Sequence, residues 1–178
     1  MPRLGISLFG PLVVTLDGTV ASGFTSKKAQ ALLAYLAVEA DRPHSREELA
    51  GLLWPDYAEA SARANLRSVL ANVRRVLDDH SAAPPFLVIA GETVQFNRAA
   101  DQQVDVAVFR RRATAPLNDG VVVAALESAV AQVSASFLAG FSLPDSPPFE
   151  EWVLLKREYF GRQLAALRQQ LAEYRLAQ

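Results

Sequence analysis

The stretch Ser61 to Asp79, SARANLRSVLANVRRVLDD, decides how the rest of the chain is read. Leu66, Val69, Leu70, Val73, Val76 and Leu77 recur at steps of three and four. At the helical period they fall on one stripe, so the spacing predicts an amphipathic helix whose apolar side faces a core. The opposite face carries Ala64, Arg67, Ser68, Ala71, Asn72 and Arg75, with Arg63 and Arg74 on one shoulder. Four arginines and no acid lie between Ala62 and Leu77. Small residues let a backbone approach closely, Arg and Asn reach base edges, and Arg also pairs with phosphate. The candidate DNA contacts are therefore Arg63, Arg67, Ser68, Asn72, Arg74 and Arg75. A solvated helix can carry the same face, so the flanking sequence has to decide.

Upstream, Leu4 to Phe9 and Leu12 to Leu16 are short β-rich runs, and Asp17-Gly18 is a turn signal leading to a third strand near Val20. Ser26 can cap a helix through Ala29, Leu32, Leu33 and Leu36 that ends near Glu39. Ser45-Arg46-Glu47-Glu48 reads as a capping box opening a short helix, which Trp54-Pro55-Asp56 ends. Downstream, Phe86 to Ile89 and Thr93 to Phe96 flank Ala90-Gly91-Glu92 as a hairpin. Sheet, three helices and hairpin, in that order, make a winged helix-turn-helix. Asn97 to Gln103 reads as a polar linker. Beyond it the patterns are helical: Val104 to Ala113, Val121 to Val133, and a long helix Phe149 to Ala177 with Trp152, Leu155, Tyr159, Leu164, Leu167, Leu171 and Tyr174 on its buried stripe.

With 178 residues, half of them hydrophobic, the chain has material for one large domain or two small ones. It has no cysteine, which excludes disulfides and thiolate metal sites. No apolar run reaches membrane-spanning length, and MPRLGISLFG turns polar too soon for a signal peptide, so a cytoplasmic location and no membrane partner are expected. Residues 1–97 carry nine basic and ten acidic groups, and residues 98–178 nine of each. Any field that attracts DNA must then be local, centred on the Arg63–Arg75 helix.

No catalytic constellation can be assembled, and neither metal nor cofactor is expected. His44 and His80 sit at helix boundaries, where surface or capping roles are expected. Glu47-Glu48 and Glu150-Glu151 lie in first turns that favour carboxylates. Arg110-Arg111-Arg112 suits a helix C-terminus, with DNA or an acidic partner as the other reading. Lys27 and Lys28 open a helix, where positive charge opposes the dipole. Trp54 and Trp152 are expected as core anchors.

These residues resemble the SARP family of bacterial transcriptional activators. LGISLFGPLVV resembles its first strands, and SKKAQALLAYLAVEADRPHSREELAGLLWPD its first two helices, with Leu52-Leu53-Trp54-Pro55-Asp56 the most specific element. ARANLRSVLANVRRVL resembles its recognition helix. Val104-Asp105 with Phe109, then FLAGF and FEEWVLLKRE, resemble the bacterial transcriptional activator domain. The resemblance implies a mainly α fold with small antiparallel β-sheets: an OmpR-type winged helix with an N-terminal four-stranded sheet over residues 1–97, then a tetratricopeptide-like helical domain over 104–178. It implies that the third helix enters the major groove and the wing touches the DNA backbone or minor groove. It further implies that the loop bearing Trp54, Pro55, Asp56, Tyr57 and Glu59 meets RNA polymerase. The expected partners are double-stranded DNA, RNA polymerase and, on repeated half-sites, a second copy of the chain. The family's helical domain runs on through further helices, so a truncated domain is expected here. The other reading is a protein-interaction module that keeps the winged-helix scaffold without DNA. A contiguous positive face over helix and wing favours DNA; neutralisation by Asp78, Asp79 or Glu59 favours protein.

Overall fold

The computed structural model describes residues 2–115 and 120–177. Strands β1 (Leu4–Ser7), β2 (Val13–Leu16) and β3 (Thr19–Val20) lead to helix α1 (Lys27–Val38). A short strand β4 (His44–Ser45) precedes α2 (Arg46–Leu53) and α3 (Glu59–Val76). The hairpin β5 (Leu87–Ala90) and β6 (Thr93–Phe96) follows, then β7 (Gln102–Val104), α4 (Asp105–Ala113), α5 (Gly120–Ala131) and α6 (Pro147–Leu176). This is a winged helix-turn-helix followed by helices, all sharing one hydrophobic core.

The first sheet has the order β3-β2-β1-β7, and the wing sheet β4-β6-β5. Two expectations change here. The stretch read as a linker ends in a strand, and that strand runs parallel to β1, with Leu4 opposite Gln102 and Ile6 opposite Val104. The first sheet is therefore mixed rather than antiparallel. The edge of β1 needs backbone partners, which a polar segment supplies as well as an apolar one: the Leu4 amide donates to the Asp101 carbonyl at 3.0 Å. Hydrophobic alternation does not report such a strand.

Helix α1 is buried on nearly every side, from Ala29 and Ala31 through Val38. Its first turn is capped as expected, the Ala29 amide donating to Ser26 Oγ at 3.2 Å. At α2 only half of the capping box forms. The Glu48 amide donates to Ser45 Oγ at 3.0 Å, but the Glu48 carboxylate does not turn back. It accepts from Arg42 at 2.6 and 3.1 Å and from the Tyr35 hydroxyl at 3.3 Å. The hydrogen bonds from Arg42, against the opposing effect of burial and with His44 adding to them, hold Glu48 down to about 2. Burial first, and then the Glu48 charge, push Tyr35 up to about 12. His44 departs from its expected surface role. It is fully buried, with Nε2 2.7 Å from the Glu39 carbonyl and Nδ1 3.3 Å from Glu48.

The helical half is fastened to the ends of β1, α1 and α2 of the winged helix, among other contacts. At the end of β1, Asp105 Oδ2 accepts the Leu8 and Phe9 amides at 2.8 and 2.9 Å. Burial raises that carboxyl's pKa, and the amides pull the other way. The Phe137-Leu138 loop lies against the same segment through a bridge to Phe9, and Arg157 holds its carbonyls at 2.8 and 2.7 Å. At the end of α1, Glu39 takes the Trp152 indole N–H at 2.8 Å and Lys156 at 2.6 Å. Burial opposes the Glu39 charge, but those two donors win and its pKa falls. At the end of α2, the buried Ser146 hydroxyl donates to the Leu53 carbonyl at 2.7 Å.

The stripe expected on α6 is partly wrong. Phe149, Val153, Phe160, Leu167 and Leu171 face inward, while Leu155 and Tyr159 are exposed. Apolar residues occur on two sides of this helix, and the ring cluster of Phe9, Phe109 and Phe137 selects Phe160 over its neighbour.

Candidate nucleic-acid interface

Helix α3 packs on α1 and α2 with Ala62, Leu66, Val69, Leu70 and Val73 buried. Its outer face holds Ala60, Ala64, Arg67, Ser68, Ala71 and Arg75, all exposed. Arg67 and Arg75 are eight residues apart, about 12 Å along the axis. Neither makes an ion pair among the described residues. Between them the side chains are short, so a ligand's surface can come close to the helix backbone.

Three of the expected contacts are engaged elsewhere. Asn72 is 5% exposed and faces the Gly23–Thr25 turn. It accepts the Thr25 amide at 3.0 Å and donates to the Gly23 carbonyl at 2.9 Å. Asn72, itself buried, has its polar atoms satisfied by these two backbone groups, and this corrects the expectation that it lies on the outer face. Arg74 donates from Nε to Asp79 at 3.0 Å. Asp79 is itself buried and accepts the Phe86 and Leu87 amides at 2.6 and 3.1 Å. Arg74 thus ties the end of α3 to the start of the wing. Arg63 is paired with Glu92 in the wing turn, and Glu59 lies 3.9 Å away on its own helix.

The wing turn is a two-residue loop, Gly91-Glu92, with Gly91 at φ +58°. A tight hairpin of this kind needs a positive φ, which glycine adopts without strain. The Arg46 amide donates to the Glu92 carbonyl at 2.8 Å, so the first turn of α2 touches the wing. Arg46, Arg63, Arg67, Gly91 and Glu92 together line a shallow recess between α3 and the wing. Arg46 and Glu92 were not among the sequence candidates. The signal for Arg46 was available: it is a cation in a helix's first turn, where the dipole disfavours it.

In the loop between α2 and α3, Pro55, Asp56, Tyr57, Ala58 and Glu59 are exposed, and Tyr57 is 53% exposed. Trp54 is buried, which removes it from any surface contact. Lys28 explains its place at a helix start: its Nζ sits 2.8 Å from Asp145 and lies over the Trp54 and Tyr57 rings. The hydrogen bond from Lys28 lowers the Asp145 pKa. The helical half therefore reaches this loop through Asp145. In the basic triplet, Arg110 and Arg112 donate to the Val38 and Ala125 carbonyls at 3.2 and 2.9 Å, while Arg111 is exposed.

No protein-family model matches the chain. It is 31% identical over 113 residues to the transcriptional regulatory protein EmbR of Mycobacterium bovis and of Mycobacterium tuberculosis. The match takes in 64% of this chain and 29% of EmbR. Among solved structures, M. tuberculosis EmbR in complex with a low-affinity phosphopeptide superposes with a TM-score of 0.80 at 23% identity. That alignment covers 99% of this chain and 46% of the EmbR chain. The likeness in sequence makes the chain similar, over part of its length, to a transcriptional regulator. The likeness in structure shows the fold. Among the described residues, no helix is long and apolar enough to cross a membrane.

Proposed function

We propose that the chain is the DNA-binding part of a transcriptional activator, with α3 as the helix that reads the major groove. One observation carries the reading. The outer face of α3 presents Arg67 and Arg75 without acidic partners, separated by residues small enough for a duplex to approach. Arg67 and Arg75 are the leading contacts, with Ser68 beside them. Arg63 and Arg46 supply charge to phosphates at the wing side of the recess. Asn72 and Arg74 have no part in this reading, because their polar atoms serve the Gly23–Thr25 turn and Asp79. The exposed Pro55, Asp56, Tyr57 and Glu59 are the surface offered to RNA polymerase. Helices α4 to α6, successive neighbours in the fold, are taken as the opening of a tetratricopeptide-like activator domain. Two copies would occupy repeated half-sites. The division into residues 1–97 and 104–178 belongs to the same proposal, although the two parts share a core.

A second reading is favoured by one feature. Glu92 and Glu59 draw on Arg63, so the positive face is not continuous from helix to wing. A protein-interaction surface would tolerate that break better than a DNA surface.

The test selects bound sequences from a random duplex pool, then titrates salt for the selected and a random duplex. A base-reading arginine contributes about 1–3 kcal/mol of discrimination. A phosphate contact weakens all sequences alike and lowers the salt slope by about one. Arg67→Ala and Arg75→Ala should each weaken binding, and at least one should narrow the gap between the two duplexes. If both folded variants bind as the parent does, or if no duplex is enriched, the interaction-module reading replaces this one.

A further inference from the structure

An open cleft of about 830 Å³ lies at the junction of the two halves. Its walls are the end of α1, the segment after β6, β7 and α4. Arg3, Arg98, Arg110, Arg111 and Arg112 line it, against the single carboxylate of Asp41. It shares no residue with the recess beside Arg67.

The end of α4 accounts for some of this charge, since cations suit a helix C-terminus. It does not account for all of it. Arg98 follows the wing and Arg3 precedes β1, so three separate parts of the chain bring guanidinium groups to one cleft. Two of the five are committed to backbone carbonyls through one nitrogen each, Arg110 to Val38 and Arg112 to Ala125. Among the described residues the Arg3 guanidinium has a long pairing with Asp101, at 3.8 Å, and donates to the Gln103 side-chain oxygen at 3.1 Å. Arg98 and Arg111 make no ion pair among the described residues. The Nε of Arg110 is buried and is the one buried side-chain polar atom among the described residues without a hydrogen-bond partner. Buried donors are normally satisfied, and like charges gathered in a cleft raise the local potential for anions.

We infer that this cleft binds a small, multiply charged phosphate compound, a diphosphate or triphosphate, held by Arg98 and Arg111 with Arg110 behind them. Planar guanidinium groups match phosphate oxygens two at a time, which suits a ligand with several such oxygens. The volume falls within the range of roughly 300–1,000 Å³ typical of small-molecule sites. No aromatic face is exposed in the cleft, since Phe96 is buried. Recognition therefore rests on the phosphates and not on a stacked base. Arg110 also lies over the Phe160 ring at 5.3 Å and bonds the end of α1, so an occupant would brace the contact between the halves.

The experiment titrates the full chain with inorganic pyrophosphate, and separately with adenosine diphosphate, by calorimetry and thermal shift at fixed ionic strength. Arg98→Gln/Arg111→Gln is the test variant, because neither side chain has a hydrogen-bond or ion-pair partner among the described residues. Arg67→Ala is the control. The parent and the control should bind both probes and melt at higher temperature with them, and the double variant should bind at least tenfold more weakly. Absence of binding by the parent, or equal binding by the double variant, overturns the proposal. So does a double variant that loses duplex DNA binding as Arg67→Ala does, because the cleft would then be a flank of the DNA surface.

Discussion

Helices α3 and α6 both bury one face in the core, and the sequence describes them unequally. In α3 the apolar residues sit on one side and the other side is small and polar, so the period alone identifies the buried face. Leu66, Val69, Leu70, Val73 and Leu77 are all buried as the spacing predicts. In α6 the apolar residues occupy two sides. Leu154, Leu155 and Tyr159 point outward while Val153 and Phe160 point in. Periodicity locates a face only when its opposite is polar. Where both sides are apolar, the tertiary neighbours choose, and for α6 those neighbours lie far off in the sequence at Phe9, Phe109 and Phe137.

The contrast between adjacent aromatic residues on α6 gives the largest expected effect. Phe160→Ala removes a ring that touches three others in the core and should cost about 3–5 kcal/mol of stability. Tyr159→Ala should cost far less, because that ring is 39% exposed. On α3, Leu70→Ala should cost about 2–5 kcal/mol. Denaturant unfolding of the three variants measures all of this. Equal losses for Phe160→Ala and Tyr159→Ala would restore the stripe expected from the sequence.

Asn72 tests the one place where the α3 pattern misleads. An Asn among Ala71, Ser68 and Arg75 reads as outward and polar, yet it is inside the fold. Its partners, the Thr25 amide and the Gly23 carbonyl, lie nearly fifty positions away, and no local pattern announces them. Asn72→Ala leaves both unpaired and should cost about 1–3 kcal/mol. Unchanged stability with weakened DNA binding would return Asn72 to the DNA face.

Much of the winged helix was legible for the same reason that α3 was. Ser26 and Ser45 are caps because their side chains act on amides three residues on, and the hairpin shows in alternation and turn chemistry. The helix–wing recess was half legible. Arg63 and Arg67 stand on the visible face, whereas Glu92 and Arg46 join them only through the pairing of β4 with β6. The strand β7 was hidden because backbone edges, not side-chain patterns, hold it, and the buried His44 because its place is set by the Glu39 carbonyl together with Glu48 and the Tyr35 ring.

A smaller effect separates the two halves of the expected capping box. Glu48 lies well below its ordinary 4.5, at about 2, chiefly through its bonds from Arg42. A carboxyl with a depressed pKa contributes stability that is fully present above its ordinary value and is lost as pH falls through the folded value. The loss due to Glu48 should therefore fall between pH 4.5 and about 2. Asp105, whose pKa is raised, acts in the opposite sense: its ionisation weakens the fold as pH rises. Urea midpoints across this range should drop more steeply for the parent than for Glu48→Gln. Parallel curves would mean that the Arg42 contact contributes nothing in solution.

The smallest effect on stability bears most directly on function. Glu92 sits at the tip of the wing, largely exposed, and pairs with Arg63 across to α3. Exposed pairs of this kind contribute little, so Glu92→Gln should leave the melting temperature nearly unchanged. Its effect on a polyanion should be visible. The substitution removes a negative charge from the surface the wing would present to phosphates and frees Arg63 to face outward. Binding to selected and random duplexes should tighten together, by about two- to fivefold if the released interaction is of the usual exposed-pair size. Because Arg63 then becomes available to a phosphate, the salt slope should steepen by about one. A gain confined to the selected duplex would mean that Arg63 reads a base. A loss of binding would mean that the pair holds the wing in its working position, and an unchanged isotherm would take the wing out of the interface altogether.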